Sequence, residues 1–225
     1  MRGAFTAGLA VLVTSMMAVA GPLLGLSPWV TTVLVLAGLG LLTLDAARFG
    51  GRGGHLVAEA LPGGLGRLRR IAIHESAHAL VAEQEGLAVA AVHVGSLACL
   101  RAGLMAGGTT VLAPPSQARL PLEELRRWSR VLQAGMAAET LVYGVSEGGA
   151  DDRSLLGRLW GLSGQDVDTA QREQRRARRE VEQWLRQRRS LLEDQAEALA
   201  RSAPRLGWPL PTTGSLSTTT SSEAR

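Results

Sequence analysis

The 225-residue sequence contains no lysine; all 24 of its basic residues are arginine. A phosphate-binding loop of the GxxxxGK[ST] type needs its lysine, so a self-contained ATPase of that kind is excluded. A single cysteine, Cys99, leaves no intramolecular disulfide framework and no cysteine-rich zinc module. No His or Asp pattern around Cys99 marks it as a nucleophile. Charge is missing altogether from Gly3 to Leu44, which a wholly soluble globule rarely tolerates.

Two apolar runs fill that uncharged stretch: Ala4 to Leu26, broken at Gly21-Pro22, and Trp29 to Leu44. About 20 helical residues cross a bilayer core, so the pair predicts a transmembrane helical hairpin turning at Gly25 to Pro28. Arg2 precedes the first run and Arg48, Arg52, Arg67, Arg69 and Arg70 follow the second, which places both termini in the cytoplasm. Met1-Arg2 with Ala18-Val19-Ala20 also fits a cleaved signal peptide, and two buried core helices are a further alternative.

Beyond the hairpin, glycine-rich sequence predicts a flexible linker to Gly66. A helical period runs from Leu68 to Gly86. Leu87 to Leu100 and Gly107 to Leu112 read as strands. Pro121 opens a helix that ends at Gly144, and a glycine-rich loop leads to another helix near Asp151 or Asp152. A long helix or helical pair covers roughly Asp166 to Ser202, and the Pro-, Thr- and Ser-rich remainder predicts disorder.

The chemistry concentrates in His74-Glu75-Ser76-Ala77-His78, an HExxH match on the first of these helices. At about 100° per residue, two histidines four apart share one face, one turn apart, and both imidazoles reach one metal ion. Glu75 falls beside that point rather than on it, where a carboxylate acts on water. A helix carrying two packing histidines has the same spacing. For a third ligand, His55 lies in the linker and His93 in a strand as a structural residue; Asp151 and Asp152 are better placed, though either also serves as a helix cap.

Ile73 to Ala82 resembles the HEAGHA-type zinc motif of the FtsH family of membrane-bound AAA proteases. Val92-His93-Val94 and Gly108 to Pro114 resemble two strands of that family's peptidase domain, and Gln133 to Gly144 is similar to its Gly-Arg-Ala-Ala-Glu-Glu-Leu-x-Phe-Gly helix. Val145 to Asp152 is similar to its Val-Ser-Thr-Gly-Ala-x-Asn-Asp segment, whose last Asp, the family's third zinc ligand, falls on Asp152. The resemblance implies Zn2+ held by His74, His78 and Asp152, with Glu75 as the catalytic base. The chain departs from the family in lacking the whole AAA module, in Ser76 for the motif's Gly, in Met136 for an Arg, and in the Ser96 to Ala106 turn.

Together these readings predict a mainly α protein: two transmembrane helices over 1–46, a linker over 47–66, a peptidase domain with a small β element over 67–203, and a disordered tail over 204–225. The expected activity is endopeptidase cleavage of unfolded or membrane-associated polypeptides, with Gly108, Thr109 and Thr110 offering a strand edge to the substrate. Expected partners are the polypeptide substrate, the lipid bilayer, and further copies of the chain or a separate AAA protein. A non-catalytic membrane adaptor and an arginine-rich surface binder are the other classes. The basic stretch from Arg172 to Arg189 reads as a solvated, salt-bridged helix, with anionic lipid next; without a run of interleaved aromatics, nucleic acid is not expected.

Overall fold

The computed structural model describes residues 15–16, 19–21, 23–49, 53–60, 63–115, 117 and 119–205. The chain divides into two units, Met1–His55 and Leu56–Arg225. The described part is mainly helical, with one two-stranded sheet.

In the first unit, helix α1 spans Pro28–Phe49. Pro28–Asp45 is long and apolar enough to cross a membrane, and Val33, Leu36 and Leu41 on it are all exposed. Its threonines keep their hydroxyls within the helix: Thr32 donates to the Pro28 carbonyl and Thr43 to the Leu39 carbonyl, each at 2.8 Å. Residues 15–16, 19–21 and 23 of the earlier apolar run are helical; its other residues lie outside the described ones. The Leu26 amide donates to the Gly21 carbonyl at 2.9 Å, closing a turn through Gly25. A Cβ on Gly21 would stand 2.5 Å from Thr31 Oγ1, so the two helical stretches touch there.

Helix α2 (Gly53–Ala60), within which the boundary between the two units falls, lies inside the stretch 47–66 expected to be a flexible glycine-rich linker. Glu59 on this helix is buried, and its carboxylate accepts from the Ser96 amide at 3.1 and 3.0 Å and from the Ser96 hydroxyl at 2.7 Å. Helix α3, Gly64–Gln84, starts four residues before the predicted Leu68, because Gly64 sits against the Glu59 backbone, leaving no room for a Cβ.

Strand β1 is Val89–Val94, helix α4 is Ser96–Arg101 and strand β2 is Gly108–Leu112. The two strands pair antiparallel with His93 opposite Thr109, and a bulge lies between Val89 and Ala91. The single strand expected from Leu87 to Leu100 is therefore half strand and half helix. Gly95, at φ 91°, turns the chain out of the sheet in a conformation that L side chains rarely adopt, and Glu59 catches the next amide.

Helix α5 (Leu122–Tyr143) follows Pro121 and ends at Gly144, as the sequence predicts. Helices α6 (Ala150–Ser163), α7 (Val167–Gln187) and α8 (Arg189–Ser202) complete the domain. Asp166 caps α7 by accepting from the Thr169 amide at 2.8 Å. Of the tail predicted to be disordered, only 204 and 205 are described.

Helix α3 lies against α5, α8 and both strands. Leu68, Ile73, Leu80 and Val81 of α3 meet Val131 of α5, Val181 and Leu185 of α7, and Leu192 of α8 in the main core. Small residues at Ala134, Ala137 and Ala138 form the buried α5 surface in the same core. A second cluster joins Leu125, Trp128 and Leu132 of α5 to Leu156, Leu159 and Trp160 of α6. Trp160 Nε1 donates to the Ser129 hydroxyl at 2.9 Å, so the ring is buried without stranding its donor. These contacts fix α3, α5 and α6 together.

Candidate metal centre

Helix α3 carries His74, Glu75 and His78 in its most enclosed stretch, and all three are buried. The two imidazole centroids are 4.8 Å apart, one helical turn along the same face. Each ring is anchored through Nδ1. His78 Nδ1 donates to the Val131 carbonyl at 2.7 Å, and His74 Nδ1 stands 2.6 Å from Glu139 Oε1. Both contacts place the proton on Nδ1 and turn the Nε2 lone pair toward the opposite side.

That side is closed by Asp152 in the first turn of α6. Asp152 Oδ2 lies 3.0 Å from His74 Nε2 and 3.4 Å from His78 Nε2. Ligand atoms of His74, His78 and Asp152 lie within 4.8 Å of one another, a group that could hold a metal ion. The donor set tests the fit. His78 Nε2 is buried and has no hydrogen-bond partner among the described residues, a costly state for a polar atom. Three acceptor atoms facing one point repel one another unless a cation lies between them. A proton meets part of that need. Burial opposes charge on His74, but hydrogen bonds to Asp152 and Glu139 outweigh it and raise its pKa to about 10. Burial likewise acts to raise the Asp152 carboxyl, and the two imidazoles overcome it, holding it well below the usual carboxylate range.

Glu139 is the residue that sequence reasoning missed. It is buried on α5, and besides His74 it accepts from Arg70 Nε at 2.9 Å and from the Glu147 and Gly148 amides at 2.9 and 3.2 Å. Burial pushes its pKa up, but His74, the Glu147 amide and Arg70 together bring it down to about 2. Arg70, expected to serve in membrane orientation, also pairs with Glu147 at 2.9 Å and donates to the Val145 carbonyl, so it ties α3 to the loop before α6. The available signal in the sequence was weak: Glu139 is the one charged residue between Arg130 and Glu147.

Two glycines shape the His74 pocket. A Cβ at Gly135 would lie 2.3 Å from His74 Nε2, and one at Gly148 would lie 2.6 Å from Glu139 Oε1. Only bare backbone lets the ring sit between α5 and the loop.

Glu75 faces the sheet. Thr110 Oγ1 stands 2.9 Å from Glu75 Oε2 and 3.0 Å from the Glu75 carbonyl. A Cβ on Gly108 would meet Ile71 Cγ2 at 2.3 Å and Glu75 Oε1 at 3.0 Å. Burial raises the Glu75 pKa, against the lowering effect of His78, His74 and Thr110. Thus Gly108 and Thr110, expected to contact substrate, lie against the α3 carboxylate, while Thr109 is paired with His93 in the ladder. Asp151 is exposed beside Asp152 and caps nothing: the cap is Gly149. Neither His55 nor His93 joins the ligand group.

No protein-family model matches the chain, and no curated protein matches it.

Proposed function

We propose that the protein is a membrane-anchored zinc metalloendopeptidase that cleaves unfolded or membrane-associated polypeptides. The observation that carries this reading is the convergence of His74 Nε2, His78 Nε2 and Asp152 Oδ2, with each imidazole oriented by an acceptor on its far nitrogen. The likeness of the flanking segments to the FtsH peptidase domain agrees with it. His74, His78 and Asp152 would hold the zinc, which supplies Lewis acidity to a water and to the scissile carbonyl.

The remaining work falls to this chain's own side chains. Glu75 takes the proton of the attacking water and passes it to the leaving amine. Thr110 occupies Oε2, leaving Oε1 as the oxygen free to exchange that proton. Glu139 keeps the His74 proton on Nδ1, and Val131 does the same for His78. Among the described residues β2 pairs with β1 alone, and its other edge would offer an extended peptide main-chain hydrogen bonds beside Glu75.

The anchor is a two-pass hairpin with the peptidase domain in the cytoplasm. Supporting it are the exposed apolar surface of α1, the turn at Gly25 and the approach of Gly21 to Thr31. Lacking a phosphate-binding loop, the chain does not itself unfold stable substrates; a homo-oligomer or a separate AAA protein would supply that.

The test is purified full chain in detergent, assayed on casein without nucleotide. Cleavage should be abolished by a chelator and restored by zinc. No cleavage from protein that carries about one zinc per chain would overturn the enzyme reading.

A further inference from the structure

Helix α7 segregates its arginines. Arg176 pairs with Glu180 at 2.7 Å, Arg178 pairs with Glu182 at 2.5 Å, and Glu173 is held by Arg126 at 2.7 Å. Arg172, Arg175, Arg179 and Arg186 are different: all four are exposed, and among the described residues none makes an ion pair. Arg172 donates to the neutral Thr169 hydroxyl at 2.9 Å and lies within electrostatic reach of Asp166 and Glu173, short of an ion pair with either; Arg175 donates to the Gln171 amide oxygen at 3.4 Å.

At about 100° per residue these four positions fall within about 60° of one another around the helix. They lie opposite Ala170, Ala177, Val181 and Leu185, the face that α7 buries. The stripe therefore points directly away from the domain and runs for about 21 Å. Two carboxylates share this side: Asp168 at one end, and Glu182, which Arg178 already engages. Trp184 lies off the stripe and stacks under Arg188, 4.4 Å from its ring centroid.

Four exposed guanidinium groups that make no ion pair among the described residues, beside neighbours that do, suit a partner that brings its own negative charge. We propose that this face of α7 docks on anionic phospholipid headgroups. The proposal rests on the membrane-anchored reading above, because α1 brings the chain to a bilayer. Charge complementarity selects the anionic lipids there: a row of basic side chains on an amphipathic helix, in a chain that also carries an anchoring helix, gains most from a plane of phosphates. No aromatic ring on the stripe provides a stacking platform for single-stranded nucleic acid. Docking in this way would hold the domain at the membrane surface, where membrane-associated polypeptides emerge.

The test uses the full chain in nanodiscs of phosphatidylcholine alone or with phosphatidylglycerol. Arginines are modified with phenylglyoxal and read individually by mass spectrometry, with Arg201 on α8, 75% exposed, as internal reference. Arg172, Arg175, Arg179 and Arg186 should react more slowly in the anionic discs by roughly threefold or more, and about 0.5 M salt should abolish the difference. Equal reactivity in the two lipids, with the protein inserted in both, overturns the docking surface and leaves the anchor standing. Failure to enter the discs overturns both. Protection by added single-stranded RNA but not by anionic lipid overturns the proposal in favour of nucleic acid.

Discussion

Glu139 Oε1 stands 2.6 Å from His74 Nδ1, on the opposite side of the ring from Asp152. The imidazole is held at both nitrogens, and the carboxylate that holds the outer one is itself fixed by Arg70 and two backbone amides. Glu139→Ala should weaken zinc binding by roughly 10- to 100-fold without removing a ligand. Glu139→Gln, which can still accept from Nδ1, should weaken it less. Competition titration with a zinc chelator measures both; unchanged affinity in the alanine variant would mean that Glu139 does not orient His74.

Glu75 and Thr110 should separate chemistry from binding. Glu75→Gln should retain about one zinc per chain and lose casein cleavage by roughly 100-fold or more. Thr110→Val frees the carboxylate to turn and should lower kcat by roughly 10-fold at unchanged KM. A rise in KM at constant kcat would assign Thr110 to the substrate instead.

Neighbouring aspartates should behave oppositely. Asp152→Ala removes one of the three atoms proposed to hold the metal and should lower zinc content together with activity. Asp151→Ala, at an exposed position, should leave both within error. Metal analysis of the two variants decides which carboxylate closes the site.

Without metal, the proton on His74 becomes the cation of the cluster. Its pKa in the fold is about 10 against an ordinary 6.5, so that contribution is complete below about pH 6.5 and is lost as pH rises through about 10. Chelated protein should therefore lose thermal stability across that window. Zinc-loaded protein should not, because metal replaces the proton. Asp152→Asn should flatten the dependence in the chelated protein. Melting curves at several pH values report all three.

Much of this arrangement is legible in the chain because local chemistry specifies it. Pro121 and Gly144 bracket α5, Asp166 starts α7, and the four-residue spacing of His74 and His78 predicts one face. What is not legible depends on distant partners. Gly53 to Ala60 is flanked by glycine-rich runs that read as a linker, and only Ser96, 37 residues away from Glu59, explains why a helix docks there. The same contact ends at Val94 the strand that the sequence predicts as far as Leu100. Glu139 reads as an ordinary helix residue until α3 is placed beside it. Hydroxyl partners are equally hidden: the polarity of Thr110 suits a substrate edge, and only the approach of β2 to α3 directs it to Glu75.

Gly135 and Gly148 give the centre an uncommon mutational signature. Alanine scanning normally subtracts atoms, but at these positions it adds one where the His74 ring and the Glu139 carboxylate already stand. Within α5, Ala is the better helix former than Gly by about 1 kcal/mol, so Gly135→Ala gains backbone preference as it crowds the ring. One methyl group thus sets that helix preference against the displacement of a buried ring, and because the ring is the one that faces Asp152, the strain of repacking and the loss of metal retention should arrive together.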